Sequence, residues 1–250
     1  MTDRLVWIDC EMTGLDLERD ALIEIACLVT DGDLNLLDSG IDEIIKPPAE
    51  ALEQMADVVR EMHTVSGLLS ELESGITLAE AQDRVLQYVR RYVPEPRKVP
   101  LAGNSIATDR AFLARDMPEL DAYLHYRMVD VSSIKELARR WYPRVYFASP
   151  HKVGGHRALA DITESVRELR YYRDAIFVPY PGPDSVTARE IAARYGDTQR
   201  ATLPSSGPSS GPSSEPSSGP ASEPSSGGPE DSASPLEGIP TVDRTPTSPD

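Results

Sequence analysis

Two carboxylates, Asp9 and Glu11, stand inside the apolar run VWIDCEM. In an extended strand, side chains alternate faces with a period of two, so both acids leave the same side of a sheet. Two like charges held side by side out of water cost on the order of several kcal/mol unless a cation meets them. Asp109 follows a strand-like segment in GNSIATDRAFL, where a helix opens, and His156 and Asp161 occur together in HRALAD. Within one helix, five residues at about 100° each would separate His156 from Asp161 by roughly 140°. His156 is therefore expected in the Gly-Gly-His loop, with Asp161 on the first turns of the following helix, both facing one cleft. Plain structural readings exist as well. Asp109 can stabilise a helix N-terminus through the macrodipole, His156 can be a solvated loop residue, and Asp161 an exposed helix residue. The Asp-x-Glu pair resists such a reading most, because apolar residues surround it. Four carboxylates converging on a cleft repel one another and hold protons unless cations neutralise them. Hard divalent ions, Mg²⁺ or Mn²⁺, suit an all-oxygen set of this kind. Two of them roughly 4 Å apart can clamp the attacking and leaving oxygens of a phosphodiester.

The elements that must position these groups are legible in the periodicity. LVWIDCEM, ALIEIACLVTD and NLLDSGIDEIIK (35–46) read as three consecutive strands with short polar turns, which favours antiparallel pairing. A helical region follows. It includes TLAEAQDRVLQYVRRYV (77–93), with Thr77 and Glu80 as a capping box and Pro94 and Pro96 as a stop. VPLAGNS (99–105) is a fourth strand and leads into the helix ATDRAFLARDM, and YRMVDV (126–131) is a fifth, leading into SSIKELARRWY. After a loop over 143–156, RALADITESVRELRYYRDAIF makes a long final helix. The pattern predicts an α/β fold, a mixed five-stranded sheet flanked by helices.

Composition divides the chain. From about Thr198 it becomes PSSGPSSGPSSEPSSGPASEPSSGGPEDSASP, which cannot bury enough apolar surface to offset its ordering entropy. Residues 1–198 are expected to form one domain and 199–250 a disordered tail. No membrane span or signal peptide is evident. Cys10 and Cys27 lie in apolar strand-like runs and read as small buried hydrophobes of a reducing compartment, so a cytoplasmic location is expected. The net charge is −16, and the tail, with seven acidic against two basic residues, leaves about −11 on the folded part. Proteins that grip long nucleic acids usually present a basic surface. A phosphate-bearing substrate of this chain is therefore expected to carry few phosphates.

DCEMTGLD, GNSxxxDRxFL and HxALxD resemble the motifs of the DEDDh exonucleases of the ribonuclease H-like fold. The resemblance is closer still to the oligoribonuclease family, which degrades very short RNA from the 3′ end. HTVSGL (63–68), LHYRMVDVSSIKELARRWYP (124–143) and KVGGHRALADITESVRELRYYR extend it over nearly all of residues 1–180. It implies a metal-dependent 3′→5′ exoribonuclease that hydrolyses short oligoribonucleotides, chiefly dinucleotides, to 5′-mononucleotides. Asp9, Glu11, Asp109 and Asp161 would be ligands of two Mg²⁺ or Mn²⁺ ions. His156 would be the general base, a task suited to a side chain that titrates near neutrality. Leu15 would wedge against the terminal bases, and Asn104 and Ser105 would position the substrate. Tyr126, Arg127 and Ser132 would cap the 5′ phosphate, the tyrosine coming from the partner in a homodimer. His63 falls in a family-like segment and would line the cleft, although its spacing gives it no role. Packing alternatives remain for Leu15 in its turn, Tyr126 in its strand and Ser132 as a helix N-cap. The stretch ADVVREMH (56–63) departs from the family, having Val58 and Val59 where a tryptophan often stands. Two other readings compete: a DEDDh exonuclease of longer strands, for proofreading or RNA trimming, and a catalytically silent nucleotide-binding protein.

Overall fold

The segment LIEIACLVTD is buried at nearly every residue, as a strand covered on both faces is. In the computed structural model, which describes residues 3–151 and 155–196, it is strand β2 (Leu22–Asp31). With β1 (Arg4–Met12), β3 (Ile41–Ile44), β4 (Pro100–Gly103) and β5 (His125–Asp130), it forms a single sheet in the order β3-β2-β1-β4-β5. The first three strands pair antiparallel, whereas β4 joins β1 and β5 joins β4 in parallel. Parallel neighbours need crossovers, and helices supply them. The expected mixed five-stranded sheet is thus present.

The helices are α1 (Ala49–Glu53), α2 (Asp57–Val65), α3 (Leu68–Glu71), α4 (Leu78–Tyr92), α5 (Ala107–Asp116), α6 (Pro118–Tyr123), α7 (Val131–Trp141), α8 (Pro143–Phe147), α9 (Ala158–Ile176) and α10 (Ser185–Gly196). A 3₁₀ turn (Leu72–Ser74) follows α3. Helix α4 starts where Thr77 accepts the Glu80 amide, at 3.2 Å.

The period-two alternation of β1 sorts its side chains between two cores. Val6, Ile8, Cys10 and Met12 pack with Val85, Val89, Phe112 and Leu113 of α4 and α5. Trp7 faces the other way and packs with Ala26, Leu28, Ala102 and the α9 residues Ala158, Ile162 and Val166. Its indole N–H is satisfied by Thr30 Oγ1 at 3.0 Å. Asp9 and Glu11 continue the Trp7 row, on the face that α9 covers.

Two local expectations are corrected. Residues 35–40 are not strand: Leu36 forms only an isolated bridge with Thr30, and Asp38 accepts the Tyr88 and Tyr92 hydroxyls, each at 2.6 Å. Those bonds, and a left-handed Gly40 (φ 82°), turn the chain before β3. The loop expected over 143–156 opens with α8, and α6 follows α5 directly. Both short helices carry proline in the first turn, where its missing N–H costs nothing. The described residues up to Ala192 belong to one compact unit, and Ala193–Gly196 begin a second. The expected domain end at residue 198 and the tail 199–250 lie outside the described residues. Among the described residues, no helix is long and apolar enough to cross a membrane.

Candidate active site

The C-terminal end of β1 opens into a cleft of about 380 Å³, lined among others by Asp9, Glu11, Leu15, Asn104, Asp109 and Asp161. Strand β1, helices α5 and α9 and the segments that follow β1 and β4 deliver these residues. Strand β1 places Asp9 opposite Ala26 and Glu11 opposite Glu24. The small Ala26 leaves room beside Asp9.

Asp109 comes from the first turn of α5, where the helix dipole favours a carboxylate. Its Oδ1 also accepts the Cys10 amide at 2.9 Å, which ties the helix to β1 beside the cleft. The helix-terminus reading and the cleft reading therefore hold together. The approach to α5 depends on Gly103. A Cβ there would lie 2.8 Å from Ile106 Cδ1 and 3.0 Å from the Ile8 carbonyl oxygen.

Asp161 lies in the first turn of α9, its amide bonded to the Arg157 carbonyl at 3.0 Å. His156 precedes the helix, exposed and in left-handed backbone conformation (φ 49°). Glu11, His156 and Asp161 each offer a ligand atom within 4.8 Å of the others.

Electrostatics follow from this crowding. Burial, and then the charges of Glu24, Asp161 and Asp109, push the Glu11 carboxyl up to about 8, with Arg157 pulling the other way. Burial pushes Asp109 up to about 7, against the lowering effect of the Cys10 amide. Such a site holds protons at neutral pH unless a cation displaces them. The all-oxygen donor set, with one imidazole beside it, fits a hard divalent ion.

Beyond the carboxylates, Asn104, Ser105 and Ser132 form one hydrogen-bonded wall. Ser132 Oγ donates to Asn104 Oδ1 at 3.1 Å, and the Ser105 amide donates to Ser132 Oγ and to Asp130 Oδ1, each at 3.0 Å. Asn104 Nδ2 in turn donates to Ser165 Oγ at 2.7 Å. Leu15 stands on the rim, 75% exposed.

Three residues lie elsewhere. His63 is completely buried, its Nε2 2.9 Å from the Met12 carbonyl, so it supports the end of β1 from beneath. Tyr126 and Arg127 sit on the edge strand β5, away from the cleft of their own chain, with Arg127 Nε donating to the Tyr126 hydroxyl at 3.2 Å.

Sequence reasoning missed Glu24 and Arg157. Glu24 is fully buried on β2, accepts Arg157 Nε at 2.8 Å and accepts the Ala158 amide at 2.9 Å. A carboxylate inside LIEIACL is the same signal as Asp9 and Glu11, and it could have been read in the same way.

The chain is an exonuclease by its family, and this cleft is its candidate active site. Residues 6–169 match the family model described as Exonuclease. Among solved structures, exonuclease I shares the fold (TM-score 0.55, 12% identity), as does the exonuclease I of Methylocaldum szegediense (TM-score 0.51, 20% identity). Each match covers 69% of this chain and 41% of the longer chain. The "Oligoribonuclease" of Streptomyces coelicolor is 69% identical over 195 residues, 78% of this chain and 98% of that protein. The "Oligoribonuclease" of Cutibacterium acnes is 64% identical over 191 residues, 76% of this chain and 95% of that protein. The chain belongs to the oligoribonuclease family of exonucleases.

Proposed function

We propose that this exonuclease removes nucleotides from the 3′ end of short oligoribonucleotides, chiefly dinucleotides, and releases 5′-mononucleotides. The observation that carries this is the convergence of Asp9, Glu11, Asp109 and Asp161 on one open cleft with His156 beside it. Asp9, Glu11, Asp109 and Asp161 would hold two Mg²⁺ or Mn²⁺ ions. When bound, such a pair stabilises charge on the attacking and leaving oxygens of a phosphodiester.

The chain's own groups do the rest. His156 accepts a proton from water as the water oxygen bonds to phosphorus. The bond from phosphorus to the 3′ oxygen of the preceding nucleotide breaks in line, and that oxygen takes a proton from solvent and leaves as the 3′ hydroxyl. Leu15 packs against the terminal bases, Asn104 and Ser105 position the substrate beside Asp109, and Ser132 belongs to the cap on the 5′ phosphate.

Tyr126 is 72% exposed on an unpaired sheet edge, and Trp141, Tyr142 and Phe147 are also exposed. Apolar exposure of this kind favours a second copy of the chain, through which Tyr126 and Arg127 would cap the 5′ phosphate of the partner's substrate. A cap favours dinucleotides because a longer strand has nowhere to go. The charge of about −11 on residues 1–198 agrees with a substrate of few phosphates.

The test is a product time course with Mn²⁺ on a labelled diribonucleotide and a 5′-labelled RNA 7-mer. Rapid dinucleotide cleavage with the 7-mer lagging supports the reading. A fast 7-mer with an untouched dinucleotide would move the protein to longer strands, and metal-dependent binding without turnover would make it a silent binder.

A further inference from the structure

Arg157 occupies an unusual position between the chemistry and the frame. It directly follows His156 and directly precedes α9, four residues before Asp161. Its guanidinium reaches two other elements at once. Nε donates to Glu24 Oε1 on β2 at 2.8 Å, while Nη1 and Nη2 donate to Glu71 Oε1 and Oε2 on α3 at 3.0 and 3.2 Å.

Glu24 is wholly buried, and its second oxygen takes the Ala158 amide at 2.9 Å. That amide is one of the orphan donors at the start of α9, a helix whose N-cap side chain supplies no bond. Glu24 therefore caps α9 from another strand. Because Glu24 faces Glu11 across the β1–β2 pair, the same carboxylate references the helix start to the acidic end of β1.

The left-handed conformation of His156 (φ 49°) bears on this arrangement. A non-glycine residue holds such a conformation only where its surroundings over-determine it. The bonds made by Arg157 and by the Ala158 amide fix the chain immediately after it.

We propose that Glu24, Arg157 and Glu71 form a clamp that sets the position of His156 beside the cleft, with Arg157 as the positioning residue. The clamp rests on the reading of His156 as general base. A planar fork that meets two carboxylates cannot be replaced by a single ammonium. Arg157→Lys keeps a cation for buried Glu24 but gives up one arm of the fork.

The experiment measures kcat and KM on a diribonucleotide for the full-length wild type, Arg157→Lys, His156→Ala and the double variant, below the melting temperature of each. Misplacement of a reacting group by about 1 Å costs on the order of 100-fold. Arg157→Lys is therefore expected to lower kcat by about 10- to 100-fold with KM within about twofold. Placed on His156→Ala, the same change should cost nothing further, because its effect runs through the imidazole. Should Arg157→Lys fail to fold, Glu71→Gln breaks only the half-buried arm and is expected to follow the same pattern at smaller size. Equal losses in both backgrounds would overturn the clamp. So would an unchanged kcat alongside a disabled His156→Ala. Wild-type turnover by His156→Ala would instead overturn the general-base reading, and the clamp with it.

Discussion

At the residue scale, Asp9 projects into the cleft opposite Ala26, and an amide occupies the same volume without the charge. Asp9→Asn is expected to lower turnover by at least about 100-fold, the usual cost of losing one group that stabilises developing charge. Circular dichroism and the melting temperature should stay near wild type, because the change removes a repulsive charge and leaves the packing intact. Turnover at the wild-type rate would refute the assignment of Asp9. Glu11 and Asp109 give a second test, through stability. Their folded-state values of about 8 and about 7 exceed the ordinary 4.5 and 3.8. Between those limits the folded protein holds more protons than the unfolded chain, so metal-free stability falls as pH rises and the penalty vanishes below about pH 4. A bound cation lowers both pKa values and cancels the penalty. The rise in melting temperature on adding Mn²⁺ to chelator-treated protein should therefore be larger near pH 8 than near pH 5. Equal rises would mean that these carboxylates do not bind the ion.

At the element scale, α5 joins the cleft to its rim. It carries Asp109 at its start and Arg115 near its end. Arg115 Nη2 donates to the Asp20 carbonyl at 2.7 Å, and Nη1 donates to the Leu17 carbonyl. Thr13 Oγ1 donates to Asp20 Oδ1 at 3.0 Å and closes the loop that presents Leu15. Arg115→Ala should loosen that loop without touching the carboxylates. A net loss of about 1 kcal/mol corresponds to roughly a fivefold rise in KM for a dinucleotide. The kcat should hold, and a fall in kcat at constant KM would contradict this role. The legibility of these elements depends on how local their causes are. Strands β1 and β2 and helix α4 follow from periodicity within a few residues, and each was readable. The turn at residues 35–40 was not, because Tyr88 and Tyr92 impose it from α4, 50 and 54 residues away from Asp38. Arg157 was hidden in the same way, its partner Glu24 lying 133 residues earlier. Buried His63 looked like a cleft residue because its motif carried no information about depth.

At the scale of the whole molecule, the question is what residues 199–250 add to the exonuclease. Their composition offers almost nothing to pack. Leu203, Leu236, Ile239 and Val242 are the only large aliphatic residues among proline, serine and glycine. The relative from Streptomyces coelicolor gives an independent argument, since 195 residues of this chain account for 98% of its length. A protein of that family thus exists with almost no counterpart to the remainder. The segment's net charge of about −5 would repel a polyanion rather than recruit one. Truncation after residue 198 is therefore expected to leave kcat and KM on a diribonucleotide within about threefold, with an unchanged melting temperature. If the exposed β5 edge and the aromatics Tyr126, Trp141 and Phe147 join two copies, the truncated chain should also keep the full-length protein's oligomeric state in light scattering. A large loss of activity, or a drop to half the assembly mass, would give the segment a structural role that its composition does not support.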